Sequence, residues 1–284
     1  MRVLITGCKG MLGQDLAAHL RPGHEVLGID IQEADITDRQ QAAEAVLSRK
    51  PEVVIHTAAF TAVDECERKP DLAFRVNGGG TRNIALACRE ARLPLVYIST
   101  DYVFDGTKTE PYVEDDAPNP LSVYGKSKLQ GEQQVRELLS HYWIVRTSWL
   151  FGPLGKNFVR TILERARQGE SLRVVDDQVG APTYTMDLAE KLASIVEHAA
   201  PGIYHTTNQG YCSWFQFAQE ILRQGALDHT KISPIPTSAS DRPARRPANS
   251  RLANQHLETE GLGLLPPWQD ALRRYLLREN QARG

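Results

Sequence analysis

Apolar and polar positions alternate between two rhythms along this chain. Residues 2–6 form a short apolar run halted by Gly7, the pattern of a strand buried on both faces. Residues 11–20 then place Leu12, Leu16 and Leu20 four apart, which predicts a helix. Further apolar runs at residues 25–30, 53–56, 95–99 and 143–148 predict strands. Between them, residues 39–49, 81–91 and about 124–139 predict helices. Pro118 and Pro120 exclude residues 115–122 from a helix interior. Strands this apolar, alternating with helices, predict an α/β fold: a Rossmann-like, doubly wound parallel sheet covered on both faces.

The character changes after Gly152-Pro153, where Gly, Pro and Arg become more frequent. Residues 185–198 predict a helix and residues 202–206 a short strand that rejoins the sheet. Residues 213–224 and 267–277 predict helices, with a Pro- and Arg-rich loop at 233–247 between them. The expected organisation is a first domain at 1–150 and a smaller C-terminal lobe at 151–284, with about 181–208 returning to the first.

Composition narrows the function. The 284 residues carry a net charge of -2, with 41% hydrophobic and 24% charged residues. These values exclude collagen-like and disordered chains, and they argue against a protein that coats nucleic acid. No apolar stretch approaches the roughly 18 residues needed to span a membrane. The first residues lack the long apolar core of a signal peptide. Cys8, Cys66, Cys88 and Cys212 are scattered and form no C-x-x-C, so reduced thiols in a cytoplasm are expected, and no ligand cluster points to a metal.

Gly7, Gly10 and Gly13 form G-x-x-G-x-x-G between the first strand and the first helix. A tight turn beside a pyrophosphate needs residues without a Cβ, and the helix start supplies free N–H groups, here those of Met11 and Leu12 among them. This makes residues 1–150 the expected NAD(P)-binding domain. Asp30 ends the second strand, 20 residues after Gly10, where a carboxylate holds the hydroxyls of an adenosine ribose and favours NAD. Asp35 and Ile36 are placed to border the adenine. His56-Thr57-Ala58-Ala59 closes the third strand, and small Ala58 and Ala59 leave room for the cofactor. His56 itself reads as a core residue.

Tyr124 and Lys128 lie four apart on one helical face. A free phenol has a pKa near ~10, and a neighbouring ammonium is expected to lower it. Ser99-Thr100 ends the fourth strand, on the edge of the sheet where ligands bind. Together these groups suit proton donation to a carbonyl.

The glycine loop, the HTAA segment, Asn77 before a helix and the Tyr124/Lys128 pair resemble the extended short-chain dehydrogenase/reductase superfamily over nearly the whole chain. One departure is Gly78-Gly79-Gly80, which weakens the following helix by about 1 kcal/mol per Gly. The segment Ser99-Thr100-Asp101-Tyr102-Val103-Phe104-Asp105-Gly106 is similar to a signature of the dTDP-4-dehydrorhamnose reductase family. Related dehydratases carry Asp-Glu after the Thr; Tyr102 stands in the second of those positions here, which favours simple reduction. Thr61-Ala62-Val63-Asp64, Arg146 to Gly152, Asp177 to Thr183 and Arg246-Pro247-Ala248-Asn249-Ser250 add to the resemblance.

The resemblance implies hydride transfer from NADH or NADPH to C4 of a dTDP-4-keto-6-deoxy sugar. It implies Tyr124 as acid, Lys128 as its partner and the holder of the nicotinamide ribose, and Thr100 on the carbonyl. Asp101, Trp149, Asn157, Gln178, Thr183 and Arg246 are its implied substrate contacts. The implied partners are a nucleotide sugar and a second copy of the chain in a homodimer. Rival readings are another nucleotide-sugar reductase or epimerase, and a non-catalytic regulatory subunit resembling that of methionine adenosyltransferase.

Overall fold

The computed structural model describes residues 1–281. Its centre is a six-stranded sheet of β1 (Arg2–Thr6), β2 (Glu25–Ile29), β3 (Val53–His56), β4 (Leu95–Thr100), β5 (Tyr142–Thr147) and β6 (Gly202–His205). The spatial order is β6-β5-β4-β3-β1-β2, and every neighbouring pair is parallel. The winding reverses between β1 and β3, which opens a crevice at their C-terminal ends.

The two-residue period of the strands sorts the core into two layers. Val3, Ile5, Val53, Ile55, Val96, Ile98 and Val145 face one side, against the helices Met11–Leu20 and Thr185–His198. Leu4, Val54, Leu95, Tyr97 and Ile144 face the other, against Arg39–Leu47, Thr81–Ala91 and Val123–Leu138. One of the covering helices and the edge strand β6 thus come from the second half of the chain.

A separate core gathers Phe151, Leu163, Phe217, Leu272 and Tyr275. Its helices are Phe158–Arg167, Trp214–Gln224 and Trp268–Gln281. The first was not expected from sequence. Its signals are Asn157, whose Oδ1 accepts from the Arg160 amide, and the buried spacing Val159, Ile162, Leu163, Ala166. The segment expected as a loop at 233–247 also needs correction at its start. Ile232–Ile235 is a strand paired in parallel with Leu172–Val175. Pro234 is tolerated because this small sheet has only two strands, both edges. Among the described residues no helix is long and apolar enough to cross a membrane.

The glycine triplet has a structural origin. Phe74–Gly80 is a π-helical segment leading into Thr81–Ala91. Its wider turn presents Asn77, which is fully buried: Oδ1 accepts from the Phe60 amide at 2.7 Å, and Nδ2 donates to Ser127 Oγ at 2.9 Å. A Cβ on Gly80 would meet Ile36 at 2.7 Å, and one on Gly78 would meet the Gln130 side chain. Gly79 has no such neighbour, and nothing in the structure explains it. Gly131, across from this segment, has the Tyr97 hydroxyl 2.2 Å and the Asn77 carbonyl oxygen 2.8 Å from a Cβ position. Gly131→Ala should therefore destabilise by about 1–3 kcal/mol, whereas Gly79→Ala should be neutral or stabilise by up to about 1 kcal/mol. Denaturant melts of the two variants would check the contrast; equal effects would contradict it.

Candidate active site

The C-terminal ends of β1, β3, β4 and β5 open into a cavity of about 870 Å³. It runs from the glycine loop past Thr100, Tyr124 and Lys128 to Trp149 and Trp214.

The loop at its first end is built by close approach. Gly7 has φ +72°, and a Cβ there would lie 2.7 Å from the Ala58 backbone across the crevice. A Cβ on Gly13 would lie 2.2 Å from the Gly7 carbonyl oxygen. Gly10 precedes the helix Met11–Leu20 and offers no side-chain cap, so the amides of Met11, Leu12 and Gly13 lack a side-chain acceptor at the cavity wall. This cradle, which side chains would fill, fits a dinucleotide pyrophosphate. Asp30, Asp35, Ile36, Ala58 and Ala59 also line the cavity.

Sequence reasoning passed over Lys9. Its amide donates to Asp30 Oδ2 at 3.0 Å, and its ammonium bonds Glu33 at 2.7 Å and Gln32 at 2.8 Å. Asp30 Oδ1 accepts from the Ile31 amide at 2.8 Å, so the carboxylate is held in place from two sides. The signal was its position inside the glycine loop.

The catalytic candidates converge. Helix Val123–Leu138 is capped by Ser122, whose Oγ accepts from the Gly125 amide at 3.1 Å. One turn beyond Lys128, Glu132 is buried and bound by Arg146 of β5 through both oxygens, at 3.0 and 2.8 Å, and by Ser99 of β4 at 2.5 Å. Lys128 is buried, with its ammonium 4.2 Å from the Tyr97 ring centroid. Burial lowers its pKa to about 7, against the pull of the Glu132 carboxylate.

The expected acidification of Tyr124 is not what the site shows. Burial raises the phenol, and the Thr100 hydroxyl opposes that only in part. Thr100 Oγ donates to Asp101 Oδ1 at 3.0 Å and accepts from the Tyr102 amide at 3.2 Å. Burial raises Asp101 to about 7, against the pull of the Ser250 and Thr100 hydroxyls. Tyr102 lies edge-on to Tyr124, with ring centroids 5.9 Å apart. His56 is a core residue: its Nδ1 pairs with Thr6 Oγ at 2.6 Å and its Nε2 with Thr81 Oγ at 3.1 Å.

Of the implied substrate contacts, Thr100, Asp101 and Trp149 line the cavity. The other four do not, and their polar groups bond within the protein. Asn157 caps its helix and donates to the Gly152 carbonyl at 2.8 Å. Gln178 Nε2 donates to Thr237 Oγ at 2.9 Å, and the Thr183 hydroxyl donates to the Ala181 carbonyl at 3.4 Å. Arg246 Nη2 bonds both Asp64 oxygens, at 3.0 and 2.9 Å. Trp214, at the start of the helix expected at 213–224, also stands on the cavity wall, a role its sequence position does not announce.

Comparison with known proteins adds to this geometry. A family model described as RmlD substrate binding domain matches residues 1–281. The dTDP-4-dehydrorhamnose reductase of Streptomyces griseus is 43% identical over 95% of this chain and 91% of its own. A crystal structure of a dTDP-4-dehydrorhamnose reductase from Clostridium acetobutylicum superposes with TM-score 0.95 at 41% identity, covering 100% of both chains. That of dTDP-4-dehydrorhamnose reductase from Bacillus anthracis, in complex with NADP, gives TM-score 0.95 at 40% identity, over 98% of this chain and 99% of the other.

Lys128 generates a pH prediction. Its folded pKa of about 7 lies below the ordinary 10.5, so its charge is present below about 7 and lost above it. In the free enzyme, kcat/KM for the reduced nicotinamide cofactor should fall by up to about tenfold per pH unit above that point. A guanidinium does not deprotonate in this range, so the residual activity of Lys128→Arg should lack this limb. A wild-type profile flat to pH 9 would contradict the assignment.

Proposed function

The chain belongs to the dTDP-4-dehydrorhamnose reductase family, and we propose that it reduces the C4 ketone of dTDP-4-dehydro-L-rhamnose to dTDP-L-rhamnose with NADH or NADPH. The observation that carries this reading is one cavity joining the glycine cradle to Thr100, Tyr124 and Lys128. The product feeds cell-surface polysaccharide synthesis, and the reaction is assigned to the cytoplasm. A homodimer is the proposed assembly, checked by sedimentation.

The first-turn amides of Met11, Leu12 and Gly13 hold the pyrophosphate, and Asp30 holds the adenosine ribose. When bound, the reduced nicotinamide supplies the hydride for C4 of the sugar. Tyr124 donates its proton to the C4 oxygen, completing the alcohol. A phenol holds its proton at neutral pH, so it is available when the C4 oxygen becomes basic. Lys128 holds the nicotinamide ribose and, when charged, offsets the phenolate left behind. Thr100 orients the ketone. Asp101 lines the cavity beside Thr100, within reach of a sugar hydroxyl, and Trp149 borders the hexose.

Tyr124→Phe should keep its fold by circular dichroism and lose roughly 10²–10⁴ in kcat. Full turnover in that variant would remove Tyr124 as the acid. Consumption of added NADH with the 4-keto sugar nucleotide tests the reaction itself, since an epimerase would consume none. Asp30 should make NADH at least as good a substrate as NADPH, and Asp30→Ala should move the ratio of kcat/KM towards NADPH; an unchanged ratio would deny Asp30 that role.

A further inference from the structure

Trp149 and Trp214 stack face to face, with ring centroids 3.6 Å apart and planes 10° apart. Both line the cavity. Trp149 follows the end of β5 and holds φ +48°, a left-handed backbone that a bulky residue adopts only under constraint. Trp214 is the first residue of the helix Trp214–Gln224, and both indoles pack against the core of Phe151, Phe217 and Tyr275.

One short ladder brings the two indoles together. Val179–Gly180 pairs antiparallel with Cys212–Ser213, the residues just before Trp214. On the other strand of that ladder, Gly180 leaves a notch for Trp149, since a Cβ there would lie 2.6 Å from the indole. The start of the Trp214 helix is locked by a reciprocal cap. Ser213 Oγ accepts from the Gln216 amide at 3.1 Å, and Gln216 Oε1 accepts from the Ser213 amide at 2.9 Å. Ser213 also donates to Asp176. Behind Trp214, Phe158 packs at 4.6 Å between centroids.

We propose that Trp214 is a substrate-positioning residue: stacked on Trp149, it holds that indole in its strained pose as the apolar wall for the hexose. The inference rests on the proposed reductase reading, in which Trp149 borders the sugar. A 6-deoxyhexose presents C–H groups and a methyl, which suit an aromatic face. A wall that turned with the Trp149 rotamer would let the ketone swing away from the hydride and from Tyr124, so fixing it contributes to orientation.

The test compares Trp214→Ala and Trp214→Phe with wild type, using calorimetric binding of dTDP-L-rhamnose, dTDP alone and NADPH. A stacked aromatic pair is worth about 2- to 12-fold in an equilibrium constant. Trp214→Ala should weaken dTDP-L-rhamnose by that factor and raise KM for the keto sugar alike, with dTDP and NADPH binding unchanged. Trp214→Phe should restore most of the loss. The exciton couplet of the stacked indoles should vanish from the circular dichroism of both Trp214→Phe and Trp149→Phe. Wild-type affinity in Trp214→Ala, or equal losses for dTDP and dTDP-L-rhamnose, would overturn the inference while the reductase reading stands. A wild-type protein that binds no dTDP-sugar would overturn both.

Discussion

The buried ion pair between Glu132 and Arg146 is the contact on which the site depends. Both side chains are almost fully excluded from water, at 2% and 1% exposure. Removing one partner would strand the other charge, at a cost of about 3–5 kcal/mol. The pair is completed by Ser99 on Glu132 and by the Glu114 carbonyl, which accepts from Arg146 Nη1 at 3.2 Å. It clamps one helix to the C-terminal ends of two adjacent strands. Lys128 and Tyr124 lie one and two turns away on that helix, so their positions follow from the clamp. Thr100, next to Ser99, is placed by the same strand end.

The clamp also sets the charge state of the site. A helix docked this tightly takes Lys128 out of water and leaves Tyr124 half-buried at the cavity wall. Desolvation opposes charge on either, so the phenol moves up and the ammonium moves down. The site therefore rests with its proton on Tyr124. That is the protonation state the proposed role of Tyr124 calls for. The sequence spacing correctly placed the two groups on one face, yet burial, a tertiary quantity, decides the direction of the pKa shift.

The same division explains what was legible in the sequence. The glycine loop, the strand-end Thr100 and the Tyr124/Lys128 pair are local patterns, and each requirement is met within a few residues. Likewise the strands of the sheet show as apolar runs, because both of their faces are covered. Helix Phe158–Arg167 carried its signal in Asn157 and four apolar positions, but it begins amid the Gly- and Pro-rich stretch after Gly152 and was passed over. Strand Ile232–Ile235 contains Pro234 and was unreadable as a strand without its partner Leu172–Val175. The Trp149–Trp214 contact joins residues 65 positions apart through a two-residue ladder, and no local pattern announces it.

The segment Asp176 to Thr183 shows why a recognisable motif need not touch a ligand. Asp176 accepts from Ser213, at the head of the Trp214 helix. Asp177 accepts the Thr237 amide at 2.9 Å, and Gln178 bonds the Thr237 hydroxyl. Ser148 donates to the Ala181 carbonyl at 2.6 Å, tying the segment to the residue before Trp149. Asp176 and the Ala181 carbonyl thus fix chain that borders the cavity, at Trp214 and at Ser148, while Asp177 and Gln178 fix Thr237 behind it. Gly180 then does by absence what the others do by bonding, since its missing Cβ is the space Trp149 occupies. The segment thereby ties together two indoles that pack on the same core. Its residues hold the indoles that line the cavity.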